Sequence, residues 1–381
     1  MSMSSFKTFF PIFKSHPNLT YLDNAATTHK PMHVLNSILD FYKSFNSNVH
    51  RGNYPISDKA TEEFENVRKK VADFIGAKPN EVIFTSGTTE SMNLASELIF
   101  YNEIVRDNCT IAVPIEGHHS LVLPFRRFFE NQIFYDHRNI SEIKSEIALI
   151  THVSNVTGTI TDPKKIDAKI KVLDCAQSMP HLRINVNKLG VDFLAFSAHK
   201  MYGPMGVGVL WVKEEILNRC NPVRLGGGIV DLVERKSIRF NTFTNRFEPG
   251  TPNVAGVLGL GAAIDFLKRF DLKKELEKEW ELKNYVISNL KKIDEIEIYT
   301  DENSAIGIIS LYHKNIHPHD ISHALGKKGI CVRAGNHCTQ IFHREILNVP
   351  ATFRISLAIY NNLDDIKKLI KEIKNISLNQ F

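Results

Sequence analysis

A short stretch of the sequence places three reactive side chains directly after an apolar run. Residues 193–196 have the composition of a buried strand, and Ser197, His199 and Lys200 follow it. A lysine at the end of a buried strand loses part of its hydration, which lowers the pKa of its amine. A neutral amine can condense with an aldehyde to form a Schiff base. Lys200 is therefore a candidate Schiff-base lysine; the alternative is a lysine that extends to solvent from a strand end.

Hydroxyl and carboxylate groups follow two other apolar runs. Thr88 and Thr89 come after residues 82–85 and begin a predicted helix, where backbone N–H groups and the helix dipole favour a phosphate. Asp174 ends a further run, and a buried carboxylate needs a positive partner such as a protonated pyridine nitrogen. Gln177 is close enough in sequence to hydrogen-bond a phenolic oxygen on the same ring. Taken singly, the threonines and the aspartate are equally well explained as helix N-caps.

A pair of histidines, His118 and His119, follows the apolar run at residues 111–113. A flat imidazole can stack on an aromatic ring and carry protons, although an exposed pair of loop histidines is the simpler interpretation. Ligands of open α/β sheets lie beyond the carboxyl ends of the strands, so these groups would share one crevice. A phosphate-binding turn, a carboxylate, an imidazole and a Schiff-base lysine together indicate pyridoxal phosphate as the cofactor.

The apolar runs alternate with helical patterns through the first two thirds of the chain. This alternation predicts an α/β fold with a mainly parallel sheet that is covered on both faces. A long amphipathic helix at 272–293 then begins a smaller α+β region, whose last helix is capped by Asn362. The predicted division is an N-terminal arm at 1–20, a large cofactor-binding domain at 21–265 and a small C-terminal domain at 266–381.

The composition excludes several classes of protein. The 381 residues are 43% hydrophobic and 23% charged, as in an ordinary globular protein. The net charge of +5 comes without a dense basic block interleaved with aromatic residues, so we expect no nucleic-acid surface. No run approaches the roughly 20 apolar residues that span a bilayer, and the N-terminus lacks the apolar core of a secretory signal, so we expect a cytoplasmic protein. Five cysteines without CxxC pairs argue against a disulfide framework and against a metal site.

Six motifs occur in order along the chain. They are YLDNAATT at 21–28, NVHRG at 48–52, TTE at 88–90, THVSN at 151–155, SAHK at 197–200 and RFEPGTPN at 246–253. From about residue 19 to the C-terminus, the chain resembles the class V aminotransferase family, and within it the cysteine desulfurases of the SufS type (group II). The resemblance implies a pyridoxal-phosphate-dependent transferase of fold type I.

The resemblance also implies roles for individual residues. Lys200 would hold the cofactor, Asp174 would pair with its ring nitrogen, and Arg354 would bind the substrate carboxylate through a bidentate fork that lysine cannot reproduce. The implied cofactor-binding residues are Thr88, Thr89, His118, Asp174, Gln177, Ser197, His199 and Lys200, with Thr251 from the second subunit of a homodimer. The implied substrate-binding residues are His50, Arg51, Asn155, Arg333 and Arg354.

Cys338 decides which reaction the resemblance implies. It lies in a polar loop at 332–340, where a thiolate beside His337 and near Arg333 would be a good nucleophile. In the family, the equivalent cysteine attacks the sulfur of cofactor-bound L-cysteine, which leaves alanine and an enzyme persulfide. Lys200, Cys338 and His118 are thus the implied catalytic residues, and a SufE-like or SufU-like acceptor protein would take the sulfur for iron–sulfur cluster or other biosynthesis. A buried structural cysteine is the alternative.

The sequence departs from the family pattern in a few places. Asn336 stands where group II enzymes generally have a histidine, and no asparagine closely follows the pair at His118. The segments at 128–142 and 163–171 look shortened. The alternatives are a selenocysteine lyase, another class V lyase or aminotransferase, and, more remotely, a non-catalytic scaffold for sulfur assembly.

Overall fold

The structure, a computed structural model, describes residues 3–106, 108–137, 139–242 and 244–378. The first two residues of the predicted arm and the last three of the predicted small domain lie outside these ranges. The strands are β1 (Thr20–Tyr21), β2 (Val82–Thr85), β3 (Ile111–Pro114), β4 (Gln132–Tyr135), β5 (Lys144–Thr151), β6 (Asp167–Asp174), β7 (Phe193–Ser197), β8 (Gly208–Val212), β9 (Val230–Val233), β10 (Ile238–Phe240), β11 (Ile296–Tyr299), β12 (Ile308–His313), β13 (Ile330–Cys331), β14 (Arg333–Gly335) and β15 (Thr352–Ser356). The helices are α1 (Pro11–Ser15), α2 (Met32–Asp40), α3 (Pro55–Ile75), α4 (Thr88–Tyr101), α5 (His119–Arg126), α6 (Val186–Leu189), α7 (Glu214–Leu217), α8 (Val254–Leu267), α9 (Leu272–Leu290), α10 (Pro318–Lys327), α11 (Gln340–Glu345) and α12 (Leu363–Leu378).

A seven-stranded sheet with the order β2-β8-β7-β6-β5-β3-β4 forms the centre of the molecule. Strand β8 runs antiparallel to both of its neighbours, and the other pairs are parallel, which confirms the predicted mainly parallel α/β sheet. In the register, Thr151 lies beside Asp174, and Asp174 lies beside Ala195. The carboxyl ends of β5, β6 and β7 therefore meet at one edge of the sheet. The edge strand β4 was not predicted from the sequence.

Helices cover both faces of this sheet, and each face has its own apolar core. Helix α3 buries the predicted stripe that contains Phe64, Val67 and Val71, and it ends before Gly76, whose φ of +72° is left-handed. Full burial of a side chain such as Phe64 contributes about 1.5–3 kcal/mol. The periodic spacing read from the sequence therefore corresponds to real packing against the sheet.

A second, antiparallel sheet of four strands has the order β11-β12-β15-β14. Helices α9, α10 and α12 pack on it around a third apolar core. Helix α12 is capped as predicted, because Asn362 Oδ1 accepts a hydrogen bond of 3.0 Å from the Asp365 N–H. The predicted long helix ends at Leu290, and the strand predicted at 306–310 is β12, which begins two residues later. The predicted smaller α+β pattern is thus confirmed.

The two segments that look short in the sequence contain short elements: β4 lies in the first, and the start of β6 lies in the second. A 3₁₀ turn at Ile140–Glu142 precedes β5, and another at Pro163–Lys165 precedes β6. Across the described ranges, no helix is long and apolar enough to cross a membrane.

The start of β8, where Gly208 pairs with Thr85, lies unusually close to the turn that follows β2. A Cβ atom on Gly208 would lie 2.4 Å from the Cα atom of Gly87, which is closer than such atoms ever approach. Gly87 immediately precedes α4, so this contact sets the position of the N-terminus of that helix. Position 208 must therefore be glycine, because the backbone of Gly87 leaves no space for a side chain there.

We expect Gly208→Ala to destabilise the protein by about 1–3 kcal/mol, the usual cost of overpacking, because the obstructing atoms are backbone and cannot rotate away. Urea-induced unfolding measures the change. Gly326→Ala in α10 is the matched control, since a Cβ there meets nothing within 4 Å. Alanine is the better helix former, so the control should be more stable than wild type by up to about 1 kcal/mol. A Gly208→Ala protein of unchanged stability would refute the close contact.

Candidate active site

A cavity of about 220 Å³ lies where the carboxyl ends of the parallel strands meet the second sheet. Most of the site residues predicted from the sequence line it. They are Thr88, Thr89, His118, Asn155, Asp174, Gln177, Ser197, His199, Lys200, Arg333 and Arg354. Residues far apart in the sequence therefore converge on one cavity.

One end of the cavity is rich in hydroxyl groups. Ser197 Oγ accepts a hydrogen bond of 2.8 Å from the Thr88 N–H and lies 2.8 Å from Thr88 Oγ1. Thr89 Oγ1 lies 2.7 Å from Oγ of Ser120, a residue that the sequence did not single out. These groups surround the N-terminus of α4, where the helix dipole favours an anion. This end of the cavity is suited to a phosphate.

Lys200 and Asp174 form the charged floor of the cavity. Asp174 is buried, accepts a hydrogen bond of 2.9 Å from the Ala176 N–H, and has its pKa raised by burial. Burial lowers the pKa of Lys200 to about 8, and the charge of Asp174 opposes this effect. Desolvation is the stronger influence, so an appreciable fraction of the amine is neutral near pH 8. This is the state that reacts with an aldehyde.

A segment near the N-terminus holds the turn that carries Lys200. The carbonyl oxygen of His199 accepts hydrogen bonds from the Thr28 N–H at 3.0 Å and from Lys30 Nζ at 2.9 Å. Thr28 Oγ1 in turn accepts a hydrogen bond of 2.8 Å from the Tyr202 N–H. Burial lowers the pKa of Lys30 to about 7. Lys30 thus supports the reactive lysine through the backbone, a role that the sequence did not reveal.

The His118 imidazole is neutral and has a defined tautomer. Its Nδ1 accepts a hydrogen bond of 3.1 Å from the Ser120 N–H at the start of α5, which leaves the ring proton on Nε2. Burial and then the positive charge of Lys200 lower the pKa of His118 to about 3. A neutral, fixed ring beside the cavity is suited to stacking on a planar cofactor.

Two arginines enter the cavity from the second sheet. Arg333 and Arg354 lie opposite each other in the register of β14 and β15. Arg354 Nη1 donates to the Asn155 carbonyl at 2.9 Å, and Nη2 donates to Asp23 Oδ1 at 3.3 Å. Burial lowers the pKa of Arg354 to about 10, so the guanidinium stays charged at neutral pH. The pair is a positively charged subsite that fits a carboxylate.

Cys338 lies in the loop between β14 and α11, just outside the lining of the cavity. The thiol is half-buried, and its neighbour His337 faces the cavity. Burial lowers the pKa of His337 to about 2, and its Nε2 lies 2.9 Å from Thr352 Oγ1. The expected positive charge of His337 beside the thiolate is therefore absent. Burial lowers the pKa values of Lys200 and Arg354, and a negative charge on Cys338 would oppose this effect at both residues.

Besides Cys338, three further predicted residues lie outside the lining of the cavity. His50 Nε2 lies 2.9 Å from Glu65 Oε1, and Arg51 and Thr251 are exposed. The Arg51 guanidinium lies beside Gly228, which in turn lies beside Gly250, so all three predicted residues belong to one region of the surface. The fold of the chain does not bring them to the cavity.

Sequence reasoning missed several residues that line the cavity, among them Ser120 and Thr151. Thr151 ends β5 beside Asp174, so its signal was available as a polar residue at the end of an apolar run. Ser120 gave no such signal, because a serine in the first turn of a helix is ordinary.

Buried polar atoms without partners test whether this cavity fits pyridoxal phosphate. Such atoms are uncommon in proteins, because an unpaired buried polar group is costly. Five of them belong to residues that line the cavity: Thr151 Oγ1, Asn155 Oδ1, His199 Nδ1, His337 Nδ1 and Arg354 Nε. This mixture of donors and acceptors, with Lys200 and Asp174 on the floor, fits a polar anionic ligand such as this cofactor. No cluster of residues suited to a metal ion occurs in the part of the chain that the structure describes.

The fold and the site define the class of the protein. A mainly parallel sheet with a buried lysine and aspartate at the ends of neighbouring strands is an arrangement that pyridoxal-phosphate-dependent enzymes use. The chain belongs to the aminotransferase class-V family, whose model matches residues 20–369.

The relatives of the chain carry a more specific name. The chain is 37% identical to a probable cysteine desulfurase of Halalkalibacterium halodurans, over 98% of both chains. It is also 37% identical to a probable cysteine desulfurase of Staphylococcus aureus, over 96% of this chain and 94% of the relative. An apo cysteine desulfurase from Thermococcus onnurineus NA1 superimposes with a TM-score of 0.91 at 31% identity, covering 98% of this chain and 97% of the other. The cysteine desulfurase CsdA from Escherichia coli superimposes with a TM-score of 0.89 at 29% identity, covering 99% of this chain and 98% of the other.

The lowered pKa of Lys200 predicts its labelling by cyanate, which reacts with neutral amines. In cofactor-free protein, carbamylation of Lys200 should be half-maximal near pH 8 rather than near the ordinary lysine value of 10.5. Asp174→Asn should move this midpoint below 8, because removal of the nearby negative charge disfavours the ammonium form. Peptide mass spectrometry at a series of pH values gives the midpoints.

Asp192→Asn is the control for this titration. Asp192 precedes β7, at the end of the strand opposite to Lys200, and accepts a hydrogen bond of 2.9 Å from the Lys171 N–H. Its replacement should leave the midpoint near 8. Equal shifts in the two variants would show that Asp174 does not act on Lys200 directly.

Proposed function

We propose that this protein is a pyridoxal-phosphate-dependent cysteine desulfurase that converts L-cysteine to L-alanine and carries the sulfur as a persulfide on Cys338. The main support is the convergence of the Cys338 loop and Lys200 on one cavity, which His337, Arg333 and Lys200 line together. Burial is the main influence that lowers the pKa of Lys200, and a negative charge on Cys338 would oppose it. Relatives named cysteine desulfurase agree with this assignment.

The cofactor would supply an electron sink for the bond-breaking step. Lys200 would hold its aldehyde carbon, and Asp174 would keep its ring nitrogen protonated. Gln177, whose Nε2 already donates to the Ala25 carbonyl at 2.8 Å, would bond the ring oxygen with its remaining amide groups. The proposed phosphate-binding residues of the same chain are Thr88, Thr89, Ser197 and His199.

The proposed substrate subsite is the pair of arginines with Asn155. Arg354 keeps a buried Nε without a partner, while its other nitrogens bond Asn155 and Asp23. A carboxylate that accepts from this guanidinium and from Arg333 would be fixed in orientation as well as position. L-cysteine, with its single carboxylate, suits this arrangement.

Sulfur transfer would follow from the nucleophilicity of the Cys338 thiolate. Its Sγ forms a bond to the substrate sulfur while the substrate Cβ–S bond breaks, and the electron pair stays with Cβ until a proton completes the methyl group of alanine. His118, with its proton on Nε2 and its plane fixed by Ser120, would hold and move a proton beside the cofactor. No external oxidant is needed, and a thiol reductant or an acceptor protein then takes the sulfur from Cys338.

The proposed assembly is a homodimer with a small domain that carries the Cys338 loop. Thr251, His50 and Arg51, which lie outside the cavity of their own protomer, would then reach the cavity of the partner. The predicted division at residues 20 and 265, the transfer of sulfur to a SufE-like or SufU-like acceptor, the use of that sulfur in iron–sulfur clusters and the cytoplasmic location belong to the same proposal.

Replacement of the proposed nucleophile tests the reaction. Cys338→Ala should reduce sulfide release from L-cysteine in the presence of dithiothreitol by at least about a hundredfold, because no other group in the site is expected to accept the sulfur. Sulfide and alanine are measured together. Cys331→Ala is the control, because Cys331 is the other half-buried cysteine of the described residues and lies on β13. Undiminished sulfide release by Cys338→Ala would sink the assignment.

Replacement of Arg354 tests the carboxylate subsite. Arg354→Lys keeps a positive charge but loses the fork, so KM for L-cysteine should rise by about tenfold to a hundredfold, as expected for the loss of one charge-assisted hydrogen bond. Arg344→Lys, on α11, should leave KM unchanged. If KM of Arg354→Lys stayed at the wild-type value, the carboxylate would have to bind elsewhere.

A further inference from the structure

The loop that carries Cys338 has a strained backbone. His337 and Cys338 have φ angles of +50° and +60°, in the left-handed region that residues with a side chain rarely occupy. Two such residues in succession persist only where the surroundings hold them. The structure must therefore supply contacts that fix this loop.

Three consecutive carbonyl groups of the loop accept hydrogen bonds. The Asn336 oxygen accepts from Thr339, whose N–H and Oγ1 both lie at 2.8 Å, so this restraint is internal to the loop. The His337 oxygen accepts from Asn155 Nδ2 at 2.8 Å. The Cys338 oxygen accepts from the His119 N–H at 3.0 Å. The two carbonyls of the strained residues are thus both held by the large-sheet side of the cavity.

We propose that His119 and Asn155 are positioning residues that hold the loop of Cys338 against the cavity, His119 through its backbone N–H and Asn155 through its side-chain amide. The inference rests on the proposed function of Cys338 as the nucleophile. In this inference the role of His119 belongs to its backbone N–H and not to its imidazole. It also gives Asn155 a second role besides the binding of a carboxylate.

The origin of the two donors explains what this restraint achieves. His119 directly follows His118, and its N–H is the first of α5, so it is not used within the helix. The backbone carbonyl of Asn155 accepts a hydrogen bond from Arg354, while its side-chain amide holds the loop. Asn155 therefore links the arginine to the loop. The loop that carries the thiol is therefore held directly by residues beside or within the proposed cofactor and substrate subsites. Sulfur transfer needs such alignment, because a misplacement of about 1 Å can cost a hundredfold in rate.

Proline at position 119 tests the backbone donor. Proline is favoured at the first position of a helix, and His118 already has the extended backbone that precedes proline, with φ −62° and ψ 143°. His119→Pro therefore removes the N–H and leaves the helix intact, whereas the control His119→Ala removes the imidazole and keeps the N–H. The comparison isolates one hydrogen bond to the Cys338 carbonyl.

We expect iodoacetamide to alkylate Cys338 about fivefold to tenfold faster in cofactor-loaded His119→Pro than in His119→Ala, because loss of one hydrogen bond frees the loop. Peptide mass spectrometry without substrate gives the rates. In the desulfurase assay His119→Pro should lower kcat and leave KM for L-cysteine unchanged, since the arginines are intact. Equal alkylation rates in the two variants would overturn the inference for His119.

Asn155→Asp tests the second donor independently and covers the case in which His119→Pro fails to fold. The substitution keeps the shape of the side chain but turns an oxygen towards the His337 carbonyl, so alkylation of Cys338 should accelerate to a similar extent. Thr151→Val is the control, because Thr151 lines the same cavity and its Oγ1 makes no hydrogen bond. Alkylation of Asn155→Asp at the control rate would refute the role of its amide.

The alkylation rate of Cys338 can be measured whether or not the protein is a desulfurase. An inactive wild-type protein would therefore reject the proposed function, while the alkylation rates would still decide whether His119 and Asn155 hold the loop.

Discussion

The burial of Lys200 beside Asp174 is the interaction on which the rest of the site depends. A charged amine or carboxylate that is buried alone loses more hydration energy than a protein ordinarily recovers. The register of β6 and β7 brings the two groups to the same end of neighbouring strands, where each partly compensates the other. Burial still outweighs the attraction and keeps the pKa of Lys200 near 8. A reactive amine is thus produced by the sheet topology together with the exclusion of water.

The segment that follows β1 joins this charged floor to the second sheet. The Ala25 carbonyl accepts a hydrogen bond from Gln177, and Asp23 contacts Arg354. The same segment holds the turn after β7, where Thr28 donates to the backbone of His199. Arginines from the second sheet and the lysine from the first are thereby positioned by one continuous stretch of chain. This explains how a site assembled from two sheets keeps a fixed geometry.

The sequence predicted most strands of the large sheet and most side chains of the cavity, because both have local signals. Apolar runs and helical spacing predicted the strands and α3, and polar residues at the ends of runs predicted Asp174 and Lys200. The antiparallel course of β8 has no such signal, because strand direction depends on pairing with distant segments. Lys30 was missed for the same reason, since its partner His199 is 169 residues away. The left-handed backbone at Cys338 was equally invisible, because neither residue there is glycine.

His50, Arg51 and Thr251 are predicted site residues that the described chain does not bring to the cavity. The motifs that suggested these residues carry no information about which cavity they serve. Within the protomer, the ring of His50 is engaged by Glu65, which has its own ion pair with Arg68 at 2.9 Å. Such a network fixes the surface that carries these residues without bringing it to Lys200.

The charges around Arg354 are balanced in a way that suits a single carboxylate. Arg333 and Arg354 lie side by side in the register of β14 and β15, where two like charges repel. Asp23 lies near both and relieves part of this repulsion, although burial raises the pKa of its carboxyl group. Two guanidinium groups against one carboxylate leave one net positive charge, and the unpaired Nε of Arg354 leaves one buried donor to satisfy. A ligand with one carboxylate neutralises that charge and satisfies that donor, whereas a neutral ligand leaves the charge uncompensated. Asn155 bonds both Arg354 and the Cys338 loop, so the guanidinium and the loop are held at a defined position relative to each other.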